Sequence, residues 1–202
     1  MTLAHWIEDQ LLRRGITDER VLAAMARVPR ERFVPPELAD YAYEDAALPL
    51  AHGQTVSQPF IVAFICQGLA LEGSERVLDV GAGSGYQAAV LAELAADVYS
   101  IELIPELAES ARAALAAAGY ERVHVHVGDG SLGLPEFAPF GGIAVAAASS
   151  EVPRPLWEQL EDGRRIVLPI GRRRAQRLSV LERSGGEARL VASVPARFVP
   201  LV

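Results

Sequence analysis

Three carboxylates lie at the ends of short apolar runs in the middle of the chain: Asp79, Glu102 and Asp129. The first run, Arg76–Val80, leads directly into Gly81-Ala82-Gly83-Ser84-Gly85. Glycines at alternate positions permit positive φ and a close approach of a ligand to the backbone. Carboxylates at successive strand ends can accept hydrogen bonds from hydroxyl and amino groups at one edge of a sheet. These residues predict a binding site for a nucleotide-like ligand.

The spacing of the glycines distinguishes two classes of such ligands. Dinucleotide-binding turns follow G-x-G-x-x-G, whereas here Tyr86 stands at the position of the third glycine. S-adenosylmethionine has no pyrophosphate, and Asp79 can balance its cationic amino-acid moiety, although an aspartate that only forms the turn is the alternative. Glu102 can accept both ribose hydroxyls, and Asp129 can meet the adenine amino group. We therefore expect S-adenosylmethionine as cofactor, bound by Asp79, Gly81, Ala82, Gly83, Ser84, Gly85, Glu102, Leu103, Gly128, Asp129 and Gly130.

The elements that must position these residues alternate along the chain, which predicts an α/β fold with a mostly parallel twisted sheet and helices on both faces. The predicted strands are Arg76–Val80, Asp97–Ile101, Arg122–Val127, Ile143–Ala148 and Arg164–Pro169, and the helices between them are Gln87–Ala96, Pro105–Ala118 and Pro155–Leu160. Gln176–Arg183 and Arg189–Val199 are separated by Ser184-Gly185-Gly186, which predicts a C-terminal antiparallel hairpin. Upstream, helices are predicted at Leu3–Arg14, at Asp18–Arg27 and from Pro59 onward.

Composition limits the classes of protein that fit. A chain of 202 residues, half of them apolar, predicts a single domain over 1–202, with a helical substrate-side region at 1–75 and a cofactor-binding core at 76–202. The net charge of −7 argues against nucleic acid as the main partner, and the basic run Arg172–Arg174 is interpreted as a solvated hairpin loop. The single cysteine, Cys66, and the absence of a signal-like or membrane-spanning stretch predict a cytoplasmic protein with no membrane association. A monomer is expected.

Motifs along nearly the whole chain resemble the protein-L-isoaspartate O-methyltransferase family. The most diagnostic is Gly53-Gln54-Thr55-Val56-Ser57-Gln58-Pro59, which lies upstream of the glycine turn. The other matching stretches are Arg27-Val28-Pro29-Arg30, Phe33-Val34-Pro35, Tyr43-Glu44-Asp45, Leu48-Pro49, the glycine turn with Tyr86–Ala92, Ile104–Ala108, Gly128-Asp129-Gly130 and Arg197–Leu201. The resemblance implies a Rossmann-like methyltransferase sheet whose last strands have an unusual order.

The resemblance also implies the reaction: a methyl group passes from S-adenosylmethionine to the carboxylate of L-isoaspartyl residues, and of D-aspartyl residues, in damaged proteins. S-adenosylhomocysteine is the other product, and the methyl ester closes to a succinimide that hydrolyses partly to aspartate. A carboxylate is ionised at neutral pH, so no general base is required. Two alternatives stay open: a methyltransferase with another acceptor, and a cofactor-binding homologue with low or no activity.

Ser57 is the active-site residue implied by the family, and we expect its hydroxyl to orient the substrate carboxylate rather than to act as a nucleophile. From its position before Pro59 alone, Ser57 could instead be a helix N-cap. The resemblance places the substrate at Thr55, Val56, Ser57, Gln58, Ala147 and Ala148.

Two features bear on metal binding and on substrate preference. His124 and His126 alternate on a strand, but no third ligand accompanies them, so no metal is expected. Gly141 replaces an aspartate common in the family, and Ser149-Ser150 replaces Ala-Pro.

Overall fold

The predicted alternation of strands and helices is present in the computed structural model, which describes residues 3–172 and 175–201. Arg173 and Arg174 lie outside the described residues, so the loop predicted at Arg172–Arg174 is not tested. Within the described residues, seven strands form one sheet in the order β5-β4-β3-β6-β7-β8-β9. These strands are β3 (Arg76–Val80), β4 (Asp97–Glu102), β5 (Val123–Val127), β6 (Phe140–Val145), β7 (Leu160–Arg172), β8 (Ala175–Ser184) and β9 (Glu187–Ala196).

The first five of these strands run parallel, and the last two are antiparallel to their neighbours. The chain leaves β3 for β4 and β5 on one side and returns to place β6 on the other. The crevice between β3 and β6 is therefore a topological switch point, where open α/β sheets bind their ligands. A separate short pair, β1 (Leu48–Pro49) with β2 (Thr55–Val56), precedes the sheet.

Helices cover both faces of the sheet, as predicted. They are α1 (Leu3–Gln10), α2 (Glu19–Arg27), α3 (Pro59–Leu69), α4 (Tyr86–Ala92), α5 (Pro105–Ala117) and α6 (Arg154–Gln159). Buried side chains of α1 to α4 share one hydrophobic core with Val77 and Val167 of the sheet. On the other face, Leu156 of α6 packs in a second core with Leu78 and Ile166. The alternation of Val77 and Leu78 between the two cores reflects the period of two along a strand. No described helix is long and apolar enough to cross a membrane.

The C-terminal hairpin is confirmed, and its turn has a clear local cause. Gly185 and Gly186 both have positive φ, 61° and 84°, between the paired residues Ser184 and Glu187. Two positive φ values are what a two-residue turn that matches the strand twist requires. Strands β7, β8 and β9 lie side by side in chain order. The periodicity of the sequence did not predict this order.

Several predicted bounds are wrong by a few residues. Helix α4 ends at Ala92 rather than Ala96: the Leu94 amide bonds three residues back, to the Leu91 carbonyl, and the Ala96 amide already donates to the Glu75 carbonyl beside β3. Strand β6 begins at Phe140 and ends at Val145, three residues before the predicted end. Strand β7 is longer than predicted at both ends, because Leu160 pairs with Phe140 of β6 and the pairing with β8 continues to Arg172.

Candidate active site

One cavity of about 710 Å³ opens at the carboxyl edge of the sheet, between the ends of β3 and β6. Its walls include the glycine turn, the end of β4, the junction between β2 and α3, the residues that follow β6, and the C-terminal segment 195–201. Predicted site residues that line it are Thr55, Val56, Ser57, Gln58, Gly81, Ala82, Gly83, Ser84, Glu102, Leu103, Gly130 and Ala147. Predicted residues outside its wall are Asp79, Gly85, Gly128, Asp129 and Ala148.

The glycine turn forms the floor of the cavity, and its glycines serve different purposes. Gly83 has a φ of 53°, and a Cβ placed there would meet nothing closer than 3.9 Å, so its α-carbon faces open space at the wall. Gly85 has a φ of 87°, and a Cβ there would lie 3.1 Å from Cγ of Leu115 on α5. Gly85 therefore allows close packing of the turn against α5 and does not line the cavity.

Glu102, the last residue of β4, lines the cavity where the sequence predicted a carboxylate. Its Oε2 accepts the Gly83 amide at 2.9 Å, and its Oε1 accepts the Ile104 amide at 3.1 Å. These bonds fix the carboxylate and tie it to the glycine turn. Each carboxylate oxygen has a further acceptor site for a ligand hydroxyl.

Asp79 does not line the cavity wall, and its predicted role, to balance the cationic amino-acid moiety of the cofactor, stays a prediction. The side chain is fully buried and accepts hydrogen bonds from Ser100 Oγ at 2.6 Å and Gln87 Nε2 at 2.7 Å. Burial raises the pKa of Asp79 to about 6, against the lowering effect of these two bonds. Gln87 lines the cavity in its place, and its Oε1 has no partner. Its only signal in the sequence is that it is the one amide in the apolar helix α4.

The Gly128-Asp129-Gly130 element contributes only Gly130 to the cavity wall. The Asp129 carboxylate caps the following short helical turn, accepting from the Ser131 amide at 2.8 Å and the Ser131 hydroxyl at 2.7 Å. Gly128 lies against Ile101. Both bonds use Oδ1 of Asp129, so the predicted contact of this carboxylate with the adenine amino group would fall to Oδ2 and stays a prediction.

Ser57 lies in the two-residue junction between β2 and α3 and is half-buried at the cavity wall. Helix α3 begins at Pro59 with Gln58 at the N-cap position, and no side chain caps it. The N-cap alternative for Ser57 is therefore wrong. Its carbonyl accepts Nη1 of Arg30 at 2.8 Å, a contact across 27 residues that the sequence reading missed.

The opposite side of the cavity is formed where the end of β6 meets the C-terminal segment. The Ala148 amide donates to the Val199 carbonyl at 2.7 Å, and the Leu201 amide donates to the Ala148 carbonyl at 2.8 Å. Ala148 thus holds the segment 195–201 against the sheet, while Ala147 lines the cavity itself. The sequence reading noted Arg197–Leu201 only as a family motif and missed its place at the site.

The departures from the family motifs at Gly141 and at Ser149-Ser150 lie outside the cavity wall, whereas Ala146, where a threonine is frequent in the family, lines it. A Cβ on Gly141 would lie 2.7 Å from Cγ of Glu75, whose carboxylate accepts the Glu72 and Gly73 amides. An aspartate at Gly141 would therefore collide with the side-chain carbons of Glu75, a residue that these two bonds hold in place. Ser149 and Ser150 also lie outside the wall.

The two histidines on β5 lie against Tyr99, with the His124 ring tilted and the His126 ring stacked, and neither lines the cavity. Ring centroids lie 5.0 Å apart for His124 and 6.2 Å apart for His126. Burial lowers the pKa of His126. Among the described residues, no group of three or more potential ligands could hold a metal ion.

Comparisons with known proteins agree with one another. A family model described as Protein-L-isoaspartate(D-aspartate) O-methyltransferase matches residues 4–202. The chain is 51% identical over 197 residues to protein-L-isoaspartate O-methyltransferase of Opitutus terrae, covering 97% of this chain and 84% of that protein. It is 52% identical over 194 residues to the protein of the same name from Roseiflexus castenholzii, covering 96% and 89%.

Two solved structures resemble the whole chain. One, described as protein-L-isoaspartate O-methyltransferase, has a TM-score of 0.82 at 29% identity over 98% of this chain, which spans 65% of the length of that one. The other, from Plasmodium falciparum with bound S-adenosyl-L-homocysteine, has a TM-score of 0.82 at 24% identity, covering 98% of this chain and 97% of that one. At that identity, the second structure shows the shared fold.

Proposed function

The chain belongs to the protein-L-isoaspartate(D-aspartate) O-methyltransferase family, and from this premise we propose which residues perform its reaction. The enzyme transfers a methyl group from S-adenosylmethionine to the free carboxylate of L-isoaspartyl residues in damaged proteins. The methyl ester is a better leaving group than the carboxylate, so ring closure to a succinimide can begin repair. The family description extends the proposal to D-aspartyl residues.

The cofactor side of the cavity comprises the glycine turn, Glu102, Leu103 and Gly130. The fit rests on two features: the open space beside Gly83, where a side chain is absent, and the anchored Glu102 carboxylate with acceptor capacity left for hydroxyls. Gln87 adds an unpartnered amide oxygen to this side. Asp79 acts from behind, holding the Gln87 amide and contributing negative potential. When bound, S-adenosylmethionine supplies the methyl group.

The substrate side comprises Ser57 with Thr55, Val56, Gln58 and Ala147. The Ser57 hydroxyl donates a hydrogen bond to the substrate carboxylate and so orients it. No side chain has to remove a proton, because the carboxylate is already ionised at neutral pH. Positioning and exclusion of water are then the contributions of the protein. The small side chain of Ala147 leaves room for the peptide backbone.

One observation supports this assignment above the others: a single cavity is lined by both Ser57 and the glycine turn. Ser57 comes from a junction outside the main sheet, whereas Gly83 and Glu102 come from its carboxyl edge. A donor site and an acceptor site that share one cavity are what a direct transfer requires.

Methyl transfer into an isoaspartyl peptide and its aspartyl twin tests the proposal. We expect base-labile label only in the isoaspartyl peptide. Ser57→Ala should lower kcat/KM by about 10- to 100-fold, since a hydrogen bond to a charged group is lost, while the Kd for S-adenosylhomocysteine stays within about twofold. The matched variant is Ser84→Ala, on the cofactor side of the same cavity, which should weaken cofactor binding first. Loss of cofactor affinity in Ser57→Ala would contradict the assignment of Ser57.

We further propose that the chain acts as a single-domain monomer in the cytoplasm. The N-terminal helices share one core with the sheet, which supports a single folding unit. The buried thiol of Cys66 suits a reducing compartment. Sedimentation of the purified protein and cell fractionation would test oligomeric state and location.

A further inference from the structure

Arg30 is a fully buried cation, and no carboxylate among the described residues pairs with it. Its Nε donates to the Ala42 carbonyl at 2.6 Å, its Nη1 donates to the Ser57 carbonyl at 2.8 Å, and its Nη2 is buried without a partner. The guanidinium also lies over the Tyr86 ring, 4.9 Å from the ring centroid. An arginine remains charged at neutral pH. Burying such a charge without a counter-charge is strongly unfavourable, so its place in the fold needs a reason.

The position of this charge relative to the cavity suggests that reason. Of the three residues that Arg30 contacts, Ser57 and Tyr86 line the cavity, and Ala42 does not. The carboxylates Glu102 and Asp79 belong to the cofactor side, where they favour a cation. The positive charge of Arg30 therefore lies next to the one wall where the substrate presents an anion.

We propose that Arg30 is a positioning and specificity-determining residue: its guanidinium holds Ser57 in place, and its positive charge makes the substrate side of the cavity select a carboxylate over a neutral side chain. The substrate carboxylate then serves as the missing counter-charge. This inference rests on the proposed function and adds to it a reason for the selection of an anionic acceptor.

A purely structural role makes a different prediction, and the chain offers a matched control. Arg20 also donates to two backbone carbonyls, those of Leu71 and Leu94, but neither residue lines the cavity. Arg20→Met removes two comparable hydrogen bonds without changing the charge beside Ser57. If substrate selection changes in Arg30→Met but not in Arg20→Met, the cause is the charge and position of Arg30 and not a general loss of stability.

The test measures binding, in the presence of saturating S-adenosylhomocysteine, of an isoaspartyl peptide and of the same peptide with a carboxamide in place of that carboxylate. We expect the wild-type protein to prefer the carboxylate peptide by about tenfold or more, because a buried positive charge behind Ser57 attracts an anion in the cavity and not a neutral carboxamide. Arg30→Met should reduce this preference to about twofold or less. Arg30→Lys, which keeps the charge, should retain most of it, and so should Arg20→Met. If Arg30→Met does not fold, Arg30→Gln keeps a hydrogen-bond donor without the charge and has the same expected result.

Each outcome separates the two proposals. Failure of the wild-type protein to bind S-adenosylhomocysteine or either peptide would contradict the proposed function as well. Binding of both peptides with equal affinity by the wild-type protein would overturn the role of Arg30 alone. So would an unchanged preference in Arg30→Met or Arg30→Gln, or an equal loss of preference in Arg30→Lys and Arg20→Met.

Discussion

Replacing single glycines in the turn should separate the stability of the fold from the binding of the cofactor. In Gly85→Ala, the new methyl group would lie 3.1 Å from Cγ and 3.3 Å from Cδ1 of Leu115, at a φ of 87°. The left-handed backbone costs about 1 to 2 kcal/mol for a residue with a Cβ. Crowding in a packed site costs about 1 to 3 kcal/mol more. The free energy of unfolding should therefore fall by about 2 to 5 kcal/mol.

Gly83→Ala is the matched variant, two residues earlier in the same turn. Its φ of 53° also requires the left-handed region, but the nearest atom to the new methyl group is 3.9 Å away. Only the backbone term applies, so we expect a loss of about 1 to 2 kcal/mol. Because Gly83 lines the cavity and Gly85 does not, the methyl group at Gly83 should obstruct the ligand directly.

Urea unfolding and calorimetric titration with S-adenosylhomocysteine, on both variants, check these expectations. Gly85→Ala should be the less stable of the two, and at a temperature where it is folded its Kd should be closer to that of the wild-type protein. Gly83→Ala should be the more stable but the weaker binder, by about tenfold or more for a displaced ligand contact. The reverse order, with Gly85→Ala binding more weakly while equally stable, would refute the division of roles between the two glycines.

Two further perturbations follow from buried or anchoring side chains. The folded pKa of Asp79 is about 6, above its ordinary 3.8, so ionised Asp79 lowers stability by about 3 kcal/mol at neutral pH, and the stabilising effect of its protonated form, complete below pH 3.8, is lost as pH rises through 6. Asp79→Asn should therefore be more stable than the wild-type protein at pH 7 but not near pH 4. Urea unfolding of both proteins at several pH values between 4 and 7 measures this difference in the free energy of unfolding, and a difference that does not change with pH would contradict the argument. Gln176 accepts the Phe198 amide at 2.7 Å and donates to its carbonyl at 3.3 Å, so Gln176→Ala should loosen the segment around Phe198, although Ala148 still holds Val199 and Leu201, and should raise KM for the peptide. Gln176→Glu, which keeps the acceptor, should have the smaller effect in steady-state kinetics, and equal KM values in the two variants would count against this anchor.

The parts of the fold that depend on local pattern were predictable from the sequence. Strand β3 matches its predicted bounds, Arg76–Val80, residue for residue, because a short apolar run ends at once in glycines. The terminal hairpin was predictable for a similar reason, from Gly185 and Gly186 between two strand-like runs. Strand order is a property of pairing between distant segments, so periodicity could not supply it.

The side chain beneath Ser57 could not be predicted from pattern. Arg30 precedes Ser57 by 27 residues and belongs to a short helical turn at Arg30–Phe33, not to the sheet. An arginine in a sequence is ordinarily taken as exposed, because unpaired buried charges are rare. Its burial is a result of tertiary packing, which places Arg30 against the Ala42 carbonyl and the Tyr86 ring.

The three carboxylates that the sequence grouped together show how finely strand ends determine a site. Asp79 is the second-to-last residue of β3, Glu102 is the last residue of β4, and Asp129 lies two residues beyond the end of β5. Asp79 is consequently buried against Ser100 of the neighbouring strand, its partner in register. Asp129 has left the sheet and caps its own turn. Of the three carboxylates, only that of Glu102 lines the cavity. Glu102 is the last residue of its strand and still pairs with Val127 of β5. Whether a carboxylate at a sheet edge lines the cavity thus depends on a single residue position, and this is finer than the two to four residues to which a strand end can be located from sequence pattern.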